Sequence, residues 1–514
     1  MSNDSAFSAN GIKAAIKELI EEIQELYLSD SIPWAIGYSG GKDSTAVVQL
    51  VWMALEQLPA EKLHKDVHVM TTDTMVENPI VSTWVSTSLN TMSDVAKKKG
   101  LPIKSHLLTP EIQNTFWVNL IGKGYPAPRH KFRWCTERLK IKPSNKFIED
   151  VVCEHGEVIL LLGVRSAESS ARAASIKRRK INPHDRLTSH IHMHNCLVFS
   201  PIETWTNDDV WAFLLRFQNP WEYNNKDLLN MYRGATEDNE CPIVVDTSTP
   251  SCGNSRFGCW VCTLVSTDKS MTAMIQNDDE KEWMLPMLKL RDDFEISTDE
   301  GKKRDRERRD FRRLSGQLSY YKDKEGEVQL VPGPYTQSSR ADWLRKLLQT
   351  QMRIRNNKNA PELAKKIELI TLDELQEIRR IWLLEKHEVE DLVPAIYGEV
   401  LGQDYPGDDI DEALVFDSEI LELLKECCGD ESDLIYELSR NLLDIERRYR
   451  TLGARRGLFS DLEKEVKKCF FSDSVDAKDW VQRKAELKDK QFVPDDGRFD
   501  DFIVRELKSG LEIQ

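Results

Sequence analysis

A short apolar run near the start of the chain breaks into a glycine-rich loop. The run covers residues 34–38, and residues 39–44 read Ser-Gly-Gly-Lys-Asp-Ser. Gly40 and Gly41 let the backbone approach an anion where a Cβ would block it. A helix predicted to begin near Asp43 would direct its first N–H groups and its positive dipole end at the same point. The order strand, loop, helix therefore predicts a phosphate-binding site.

The loop is not a Walker A element, which has four residues between its first glycine and the Gly-Lys pair. Gly37 leaves only three residues before Gly41, and Asp43 follows the lysine. The loop resembles the S-G-G-x-D-S pyrophosphate loop of N-type ATP pyrophosphatases. That resemblance implies binding of ATP with Mg²⁺, cleavage between the α and β phosphates, and catalytic roles for Lys42 and Asp43. The implied ATP-binding residues are Ser39, Gly40, Gly41, Lys42, Asp43 and Ser44.

A second motif follows the apolar run at residues 67–71. Residues 69–79 read V-M-T-T-D-T-M-V-E-N-P and resemble the D-T-G-x-x-x-P-E-T turn of the phosphoadenylylsulfate (PAPS) reductases, with Met75 in place of glycine. Asp73 is therefore a candidate for holding the ribose or the metal–phosphate shell. A carboxylate in a polar turn is also an ordinary turn or helix-capping residue, and this alternative stays open.

Two further segments are similar to the same reductase family. Residues 163–172 match G-x-R-x-x-E-S-x-x-R, which implies an anion-reading and catalytic role for Arg165 beside Gly163. A solvated helix face with alternating charge is the alternative. Residues 201–211 match P-I-x-x-W-T-x-x-D-V-W, where Thr206 is predicted to cap a helix.

Strands alternate with helices through residues 34–220, which predicts a doubly wound, mostly parallel α/β sheet covered on both faces. The resemblance implies an adenine nucleotide alpha hydrolase-like fold, with a metal-cluster loop and a helical C-terminal domain. Ligands in such sheets bind beyond the carboxyl ends of the strands, where the loop, Asp73 and Gly163 are all predicted to lie. The predicted domains are an N-terminal helix at 1–30, the ATP pyrophosphatase (PAPS reductase-like) domain at 31–235, a four-cysteine loop at 236–275 and a helical region at 276–514.

Four cysteines have the spacing of a metal site. They are Cys241, Cys252, Cys259 and Cys262, in the pattern C-x10-C-x6-C-x2-C. Four thiolates from a short loop suit zinc or an iron–sulfur cluster, and the spacing alone does not separate the two. Assimilatory adenylylsulfate reductases carry a 4Fe-4S cluster held partly by a CxxC pair, and the resemblance to them favours the cluster over zinc.

Cys135 lies apart from these four, within a basic segment that includes Arg133, Arg138 and Lys140. Nearby cations lower a thiol pKa and favour the nucleophilic thiolate, so Cys135 is the predicted catalytic carrier of sulfur. The segment also resembles the C-C-x-x-R-K-x-x-P element of the adenylylsulfate reductases, with Trp134 replacing the first cysteine. Cys135 is therefore alternatively a cluster ligand, which would leave Cys241 free.

Charge and hydropathy limit the partners and the compartment. The chain has 514 residues and a formal net charge of −15, so contact with nucleic acid requires a local basic patch such as residues 301–313. No apolar run is long enough to span a bilayer, and the polar N-terminus does not resemble a signal peptide. A cytoplasmic protein that does not contact membranes is expected.

The large region after residue 276 indicates a macromolecular substrate or partner, because simple sulfonucleotide reductases end soon after their CxxC pair. Length, loop and cysteine spacing together resemble the Dnd-type DNA phosphorothioation sulfurtransferases, the C component of that system. This resemblance implies DNA as substrate, a cysteine desulfurase as sulfur donor and other Dnd-type modification subunits as partners. The alternatives are a sulfonucleotide (PAPS/APS) reductase, an RNA-thiolating ATP pyrophosphatase, and a scaffold with a vestigial loop. The intact loop disfavours the last of these.

Overall fold

The fold is taken from a computed structural model of the chain. It describes residues 5–168, 186–235, 258–313, 315–323, 325–408, 416, 418–429, 433–450 and 454–490. The chain divides into two compact units. The first comprises Met1–Glu307, Arg340–Ile381 and Leu392–Asp408, and the second comprises Arg308–Ser339, Trp382–Asp391 and Asp409–Gln514.

A six-stranded sheet forms the centre of the first unit. Its strands are β1 (Trp34–Gly37), β2 (Val67–Thr72), β3 (Ile103–Leu108), β4 (Val158–Leu161), β5 (Thr188–Ser189) and β6 (Cys196–Phe199). The order is β3-β2-β1-β4-β6-β5, and every neighbouring pair is parallel except β5 with β6. Strands β2 and β3 lie on one side of β1, and β4, β6 and β5 lie on the other. The strand order therefore reverses between β1 and β4, and ligands in such sheets bind beyond the carboxyl ends of the strands at this switch point.

Helices cover both faces of this sheet. The first four are α1 (Gly11–Leu28), α2 (Lys42–Glu56), α3 (Pro79–Lys99) and α4 (Lys142–His155). Trp34 and Ile36 of β1 face the larger core with α1 and α2, whereas Ala35 faces a smaller core with Ile148 of α4. This alternation follows from the two-residue repeat of a strand and explains why β1 is apolar throughout. The predicted doubly wound, mostly parallel α/β fold is confirmed.

The remaining helices of the first unit follow the sheet. They are Asn207–Arg216, Asn225–Gly234, Lys269–Asn277, Leu285–Phe294, Asp299–Glu307, Gln337–Arg355 from Arg340 onward, Glu362–Lys365, Leu372–Arg380 and Leu392–Leu401. Thr206 caps the first of these by accepting from the Asp209 backbone N–H at 3.1 Å. Asp209 accepts from the Thr206 N–H in return, which completes the capping box predicted from this motif.

The second unit is built from a hairpin and helices. Strands β7 (Tyr320–Lys322) and β8 (Val328–Leu330) pair antiparallel, and the helices are Ser418–Cys428, Asp433–Arg450, Leu458–Lys468 and Ser474–Lys490. Val328, Val481 and Ala485 form its small apolar core. The helical character predicted for the C-terminal region is therefore confirmed, while the exact domain boundaries stay a prediction.

No helix within the described ranges combines the length and the apolar composition that a bilayer crossing requires.

Candidate functional site

The phosphate loop joins β1 to α2. Gly40 has a φ of +71°, a left-handed conformation that favours glycine, and Gly41 precedes the first residue of α2. The Ser44 hydroxyl oxygen accepts from the Ser39 N–H at 3.1 Å and lies 3.2 Å from the Ser39 hydroxyl. Both predicted hydroxyl donors therefore lie together at the N-terminus of α2, where an anion is stabilised by the helix dipole.

Asp43 lies between two cations in this loop. Its Oδ2 is 3.0 Å from Lys42 Nζ, and its Oδ1 accepts from Arg165 Nε at 2.6 Å. Arg165 also donates from Nη1 to the Trp205 carbonyl at 3.3 Å, and only 4% of its side chain is exposed. In this arrangement Arg165 holds the loop carboxylate and the 201–211 segment together.

Gly163 follows β4 and makes the closest approach to the loop. A Cβ at this position would lie 2.9 Å from the carbonyl carbon and oxygen of Asp43 and 3.1 Å from the Ser44 nitrogen. Only a glycine lets the end of β4 pass so close to the first turn of α2. The structure thus brings Gly163, Arg165 and the loop to one place.

Tyr232 belongs to this site and carries no sequence signal that would have revealed it. It lies in the helix Asn225–Gly234, and its hydroxyl accepts from the Lys42 N–H at 3.4 Å. Lys42 Nζ also lies 5.6 Å from the centre of the Tyr232 ring. Burial raises the pKa of Tyr232, so the hydroxyl remains protonated at neutral pH.

The turn after β2 contains Asp73, whose Oδ1 accepts from the Met75 N–H at 2.8 Å. Met75 has a φ of +62°. The reductase motif has glycine there, and the left-handed backbone is the physical reason for that preference. Burial raises the pKa of Asp73 above its ordinary value, and the nearby carboxylate of Glu77 adds to the rise.

The same turn binds the loop that carries the CxxC pair. The Trp260 N–H donates to the Val76 carbonyl at 3.0 Å, and Glu77 forms an isolated antiparallel bridge with Cys259. Thr74 Oγ1 lies 3.4 Å from Cys259 Sγ. One short segment therefore follows the strand beside β1 and also contacts the cysteine loop.

A lysine and a carboxylate flank Cys259. Lys140 Nζ lies 3.2 Å from Glu77 Oε1, which in turn lies 3.9 Å from Cys259 Sγ. Burial raises the pKa of Cys259 to about 12, Glu77 raises it too, and Lys140 acts in the opposite direction. Although burial lowers the pKa of Lys140, the Cys259 and Glu77 groups raise it, and the net shift is upward. Lys140 thus stays charged and pairs with the Glu77 carboxylate beside this cysteine.

Cys135 lies close enough to the CxxC pair to interact electrostatically with both Cys259 and Cys262. It is followed by the wide helical turn Thr136–Ile141, which runs into α4. The expected lowering of its pKa by basic neighbours is wrong for this structure. Burial raises the Cys135 pKa and the Cys262 thiol adds to the rise, while the Arg138 guanidinium is engaged by the Tyr125 hydroxyl.

The four predicted metal ligands are only partly described. Cys241 and Cys252 lie outside the described residues, as does Arg172 of the reductase-like motif. Cys259 and Cys262 form a tight turn in which the Cys262 N–H donates to the Cys259 carbonyl at 3.0 Å. Within the described ranges no group of three or more His, Cys, Asp or Glu side chains is placed to hold a metal ion. Two of the four predicted ligands therefore lie outside the described residues, and the ligand set stays a prediction.

Arg291 supports the CxxC loop, and the sequence did not reveal it. Its side chain is fully buried in the helix Leu285–Phe294. Its guanidinium donates to the carbonyls of Cys262 at 3.0 Å, Ser266 at 2.6 Å and Val265. A single arginine in a helix of mixed charge gives no pattern, so its role is visible only from the packing.

These features define a parallel α/β nucleotide-binding domain whose phosphate loop lies at the sheet's switch point, with a cysteine group attached through the turn after β2. Residues 33–264 match the family model described as the phosphoadenosine phosphosulfate reductase domain. Over this range, which is less than half of the chain, the sequence is similar to that domain.

One curated relative and several solved structures are similar to the same part of the chain. An uncharacterized protein of Methanocaldococcus jannaschii is 31% identical over 199 residues, which are 39% of this chain and 35% of that protein. The chain thus spans about a third of the length of the curated relative that it matches.

Among solved structures, a PAPS reductase from Candida auris in a phosphate complex is 12% identical, with 43% of this chain and 90% of that chain covered and a TM-score of 0.25. A tRNA thiolase from Methanococcus maripaludis with its 4Fe-4S cluster is 17% identical, with 39% of this chain and 63% of that chain covered and a TM-score of 0.26.

Proposed function

We propose that this chain is an ATP-dependent sulfurtransferase that adenylates a DNA backbone phosphate and replaces one of its non-bridging oxygens with sulfur. The observation that carries the proposal is the turn at residues 73–79. It follows the strand beside the phosphate loop, and it binds the cysteine loop through Val76 and Glu77. The phosphate loop would activate the substrate and the cysteine loop would supply sulfur. Their connection through one short segment suits a reaction in which activation is followed by sulfur transfer.

Adenylation is the first step. A non-bridging oxygen of the DNA phosphate attacks the α-phosphorus of ATP, a P–O bond forms, and the bond to the β-phosphate breaks to release pyrophosphate. The N–H groups of the loop and Lys42 would stabilise the charge that develops on the phosphates, and Mg²⁺ bound with ATP would supply further positive charge there. Asp43, held by Arg165 at 2.6 Å, is positioned to orient Lys42 or a hydrated Mg²⁺.

Sulfur transfer is the second step. A cysteine desulfurase would load Cys135 with a persulfide, whose terminal sulfur attacks the adenylated phosphorus and displaces AMP. A reductant thiol then attacks the Cys135 sulfur, so that the S–S bond breaks and the sulfur stays on phosphorus as a phosphorothioate. The resulting mixed disulfide is reduced by a second thiol, which returns Cys135 to its starting state.

Cys241, Cys252, Cys259 and Cys262 would hold the 4Fe-4S cluster, with zinc as the less favoured occupant. When bound, the cluster would supply electron transfer or a soft metal site for sulfur. Arg291 and Glu77 would hold the CxxC segment in place, since both contact this segment directly.

The test is formation of AMP and pyrophosphate from ATP by the purified full chain, with and without DNA. We expect this activity to disappear in Ser39→Ala/Asp43→Ala and to persist in Ser93→Ala/Asp94→Ala, a matched pair of changes on α3 away from the loop. Sulfite release from adenylylsulfate without ATP cleavage would instead favour a sulfonucleotide reductase. DNA-independent ATP cleavage that is stimulated by transfer RNA would favour an RNA-thiolating enzyme.

A further inference from the structure

A small hairpin projects from the chain just before Cys135. Arg129 and Phe132 exchange backbone hydrogen bonds at 3.2 and 2.7 Å, with His130 and Lys131 as the two-residue turn. All the side chains from Arg129 to Arg133 are exposed, and Phe132 exposes 39% of its surface. The ring thus lies among the exposed cations Arg129, Lys131 and Arg133.

The hairpin is attached rigidly to the two cysteine segments. Thr263, next to Cys262, donates its hydroxyl to the Pro128 carbonyl at 2.6 Å. The buried Trp134, next to Cys135, donates its indole N–H to the Pro126 carbonyl at 2.9 Å. The hairpin therefore presents its side chains at a fixed place beside the candidate sulfur site.

The local charge is opposite to that of the chain. Residues 123–146 contain lysine or arginine at positions 123, 129, 131, 133, 138, 140, 142 and 146, against the single acid Glu137, in a chain of net charge −15. Within the part of the chain that the structure describes, the Arg129 and Lys131 side chains form no hydrogen bond or ion pair. Such cations offer their full charge to an anionic partner.

The basic run at residues 301–313 differs in this respect. In the first unit, Lys302 pairs with Asp299 at 2.8 Å, and Arg304 donates to the Asp292 carbonyl at 2.8 Å. In the second unit, Arg312 pairs with Asp310 at 2.9 Å and Arg309 donates to the Gly333 carbonyl at 2.7 Å. These cations serve internal contacts, so the run is a weaker choice for binding DNA than the hairpin.

We propose that the hairpin Arg129–Arg133 docks the DNA backbone, with Arg129 and Lys131 on phosphates and Phe132 against an unstacked base. The inference rests on the proposed function, because it assumes that DNA is the substrate. A phosphate held by the hairpin would bring the adjoining backbone toward Cys135. Stacking of a base on an exposed ring is the usual way in which proteins hold single-stranded segments.

The test uses fluorescence anisotropy of the full chain with a labelled single-stranded DNA, the matching duplex and an RNA of the same sequence, over a range of salt. Arg129→Gln/Lys131→Gln should weaken DNA binding roughly tenfold and reduce the magnitude of the salt slope by about 1.5. Phe132→Ala should weaken single-strand binding roughly fivefold or more. The matched control is Lys302→Gln/Lys303→Gln, which removes the same charge from an exposed helix whose lysines are paired within it.

Each outcome decides the proposal. Loss of affinity in the hairpin variants but not in the control supports it. Equal affinity of the hairpin variants and the unaltered chain overturns it and leaves the proposed function standing, since ATP cleavage is measured separately. Tighter binding of the RNA, lost in the same variants, assigns the hairpin to RNA and overturns both proposals. If the unaltered chain binds no nucleic acid, the docking proposal fails whatever the ATP assay gives.

Discussion

Arg165 Nε lies 2.6 Å from Asp43 Oδ1 across two separate sequence motifs. The two residues are 122 positions apart, yet the guanidinium is nearly fully buried and fixes the carboxylate of the phosphate loop. Lys42 binds the other carboxylate oxygen at 3.0 Å. The loop is therefore held from β4 through one ion pair, which gives Arg165 a positioning role in addition to the anion reading that its motif implies.

We expect Arg165→Met to destabilise the first unit by about 3 kcal/mol, because it leaves the Asp43 carboxylate with only Lys42 and removes a donor to the Trp205 carbonyl. Urea unfolding measures this loss. The control is Arg345→Met, which breaks an exposed pair with Glu399 at 2.9 Å and should cost about 1 kcal/mol or less. Equal losses in the two variants would contradict the assigned role.

Arg291→Met should weaken the CxxC loop. Three backbone carbonyls would lose a buried donor, and each unsatisfied group costs about 1–3 kcal/mol, so a loss of at least about 3 kcal/mol in unfolding free energy is expected. The variant should also speed alkylation of Cys262 in native conditions. If thiol reactivity and stability both remain those of the unaltered chain, Arg291 does not hold this loop.

Substitutions at Met75 test directly whether the backbone of the Asp73 turn is strained. Met75→Gly and Met75→Ala both remove the side chain, but only glycine relieves the φ of +62°. We expect the glycine variant to be more stable than the alanine variant by about 1 kcal/mol, the reverse of the usual order of the two residues. Thermal unfolding of the pair measures the difference. A more stable alanine variant would show that the turn is not strained.

A buried histidine pair predicts how stability depends on pH. His68 Nδ1 lies 3.0 Å from His106 Nε2, with the Phe147 ring against both. Burial, and after it the neighbouring His106, lower the pKa of His68 to about 4. His68 takes up a proton near pH 6.5 in the unfolded chain but only near pH 4 in the folded chain. Its contribution to stability is therefore fully present above about pH 6.5 and is lost as the pH drops toward 4.

We expect that fall to be about 2 kcal/mol for the unaltered chain and clearly smaller for His68→Gln. Urea unfolding at a series of pH values from 7 to 4 is the measurement. His64→Gln serves as the control, because the His64 ring is exposed and its nitrogens lie within hydrogen-bond distance of the Lys62 and Asp30 carbonyls. A pH profile of His68→Gln that overlays that of the unaltered chain would show that His68 does not cause the loss of stability at low pH.

Local sequence was enough for the elements with strong apolar patterns. The N-terminal helix predicted within residues 1–30 is observed as Gly11–Leu28, and the apolar run at residues 67–71 is observed as the strand Val67–Thr72. The strand Ile103–Leu108 was missed, because it lies at the sheet's edge and buries only Ile103. An edge strand is half exposed, so its sequence lacks the apolar run that identifies a central one.

The residues of the candidate site also fall into two groups, those that sequence motifs predict and those that only the packing reveals. The loop at residues 39–44 and Gly163 follow strands and have recognisable motifs, so they could be predicted from sequence. Tyr232 and Arg291 reach the site from helices far along the chain, and only packing brings them there. The raised pKa of Cys135 was missed for a related reason, since a basic sequence does not reveal that the thiol itself is buried.

The most direct test of the central claim is mass spectrometry of nuclease-digested genomic DNA for phosphorothioate dinucleotides. Cells would carry this gene with its partner genes, in unaltered form, as Ser39→Ala/Asp43→Ala, or as Cys135→Ser. Phosphorothioate is predicted with the unaltered chain and should be absent with either variant, while Ser93→Ala/Asp94→Ala retains it. Full sulfur incorporation with the Ser39→Ala/Asp43→Ala variant, or none with the unaltered chain, would contradict the proposed function.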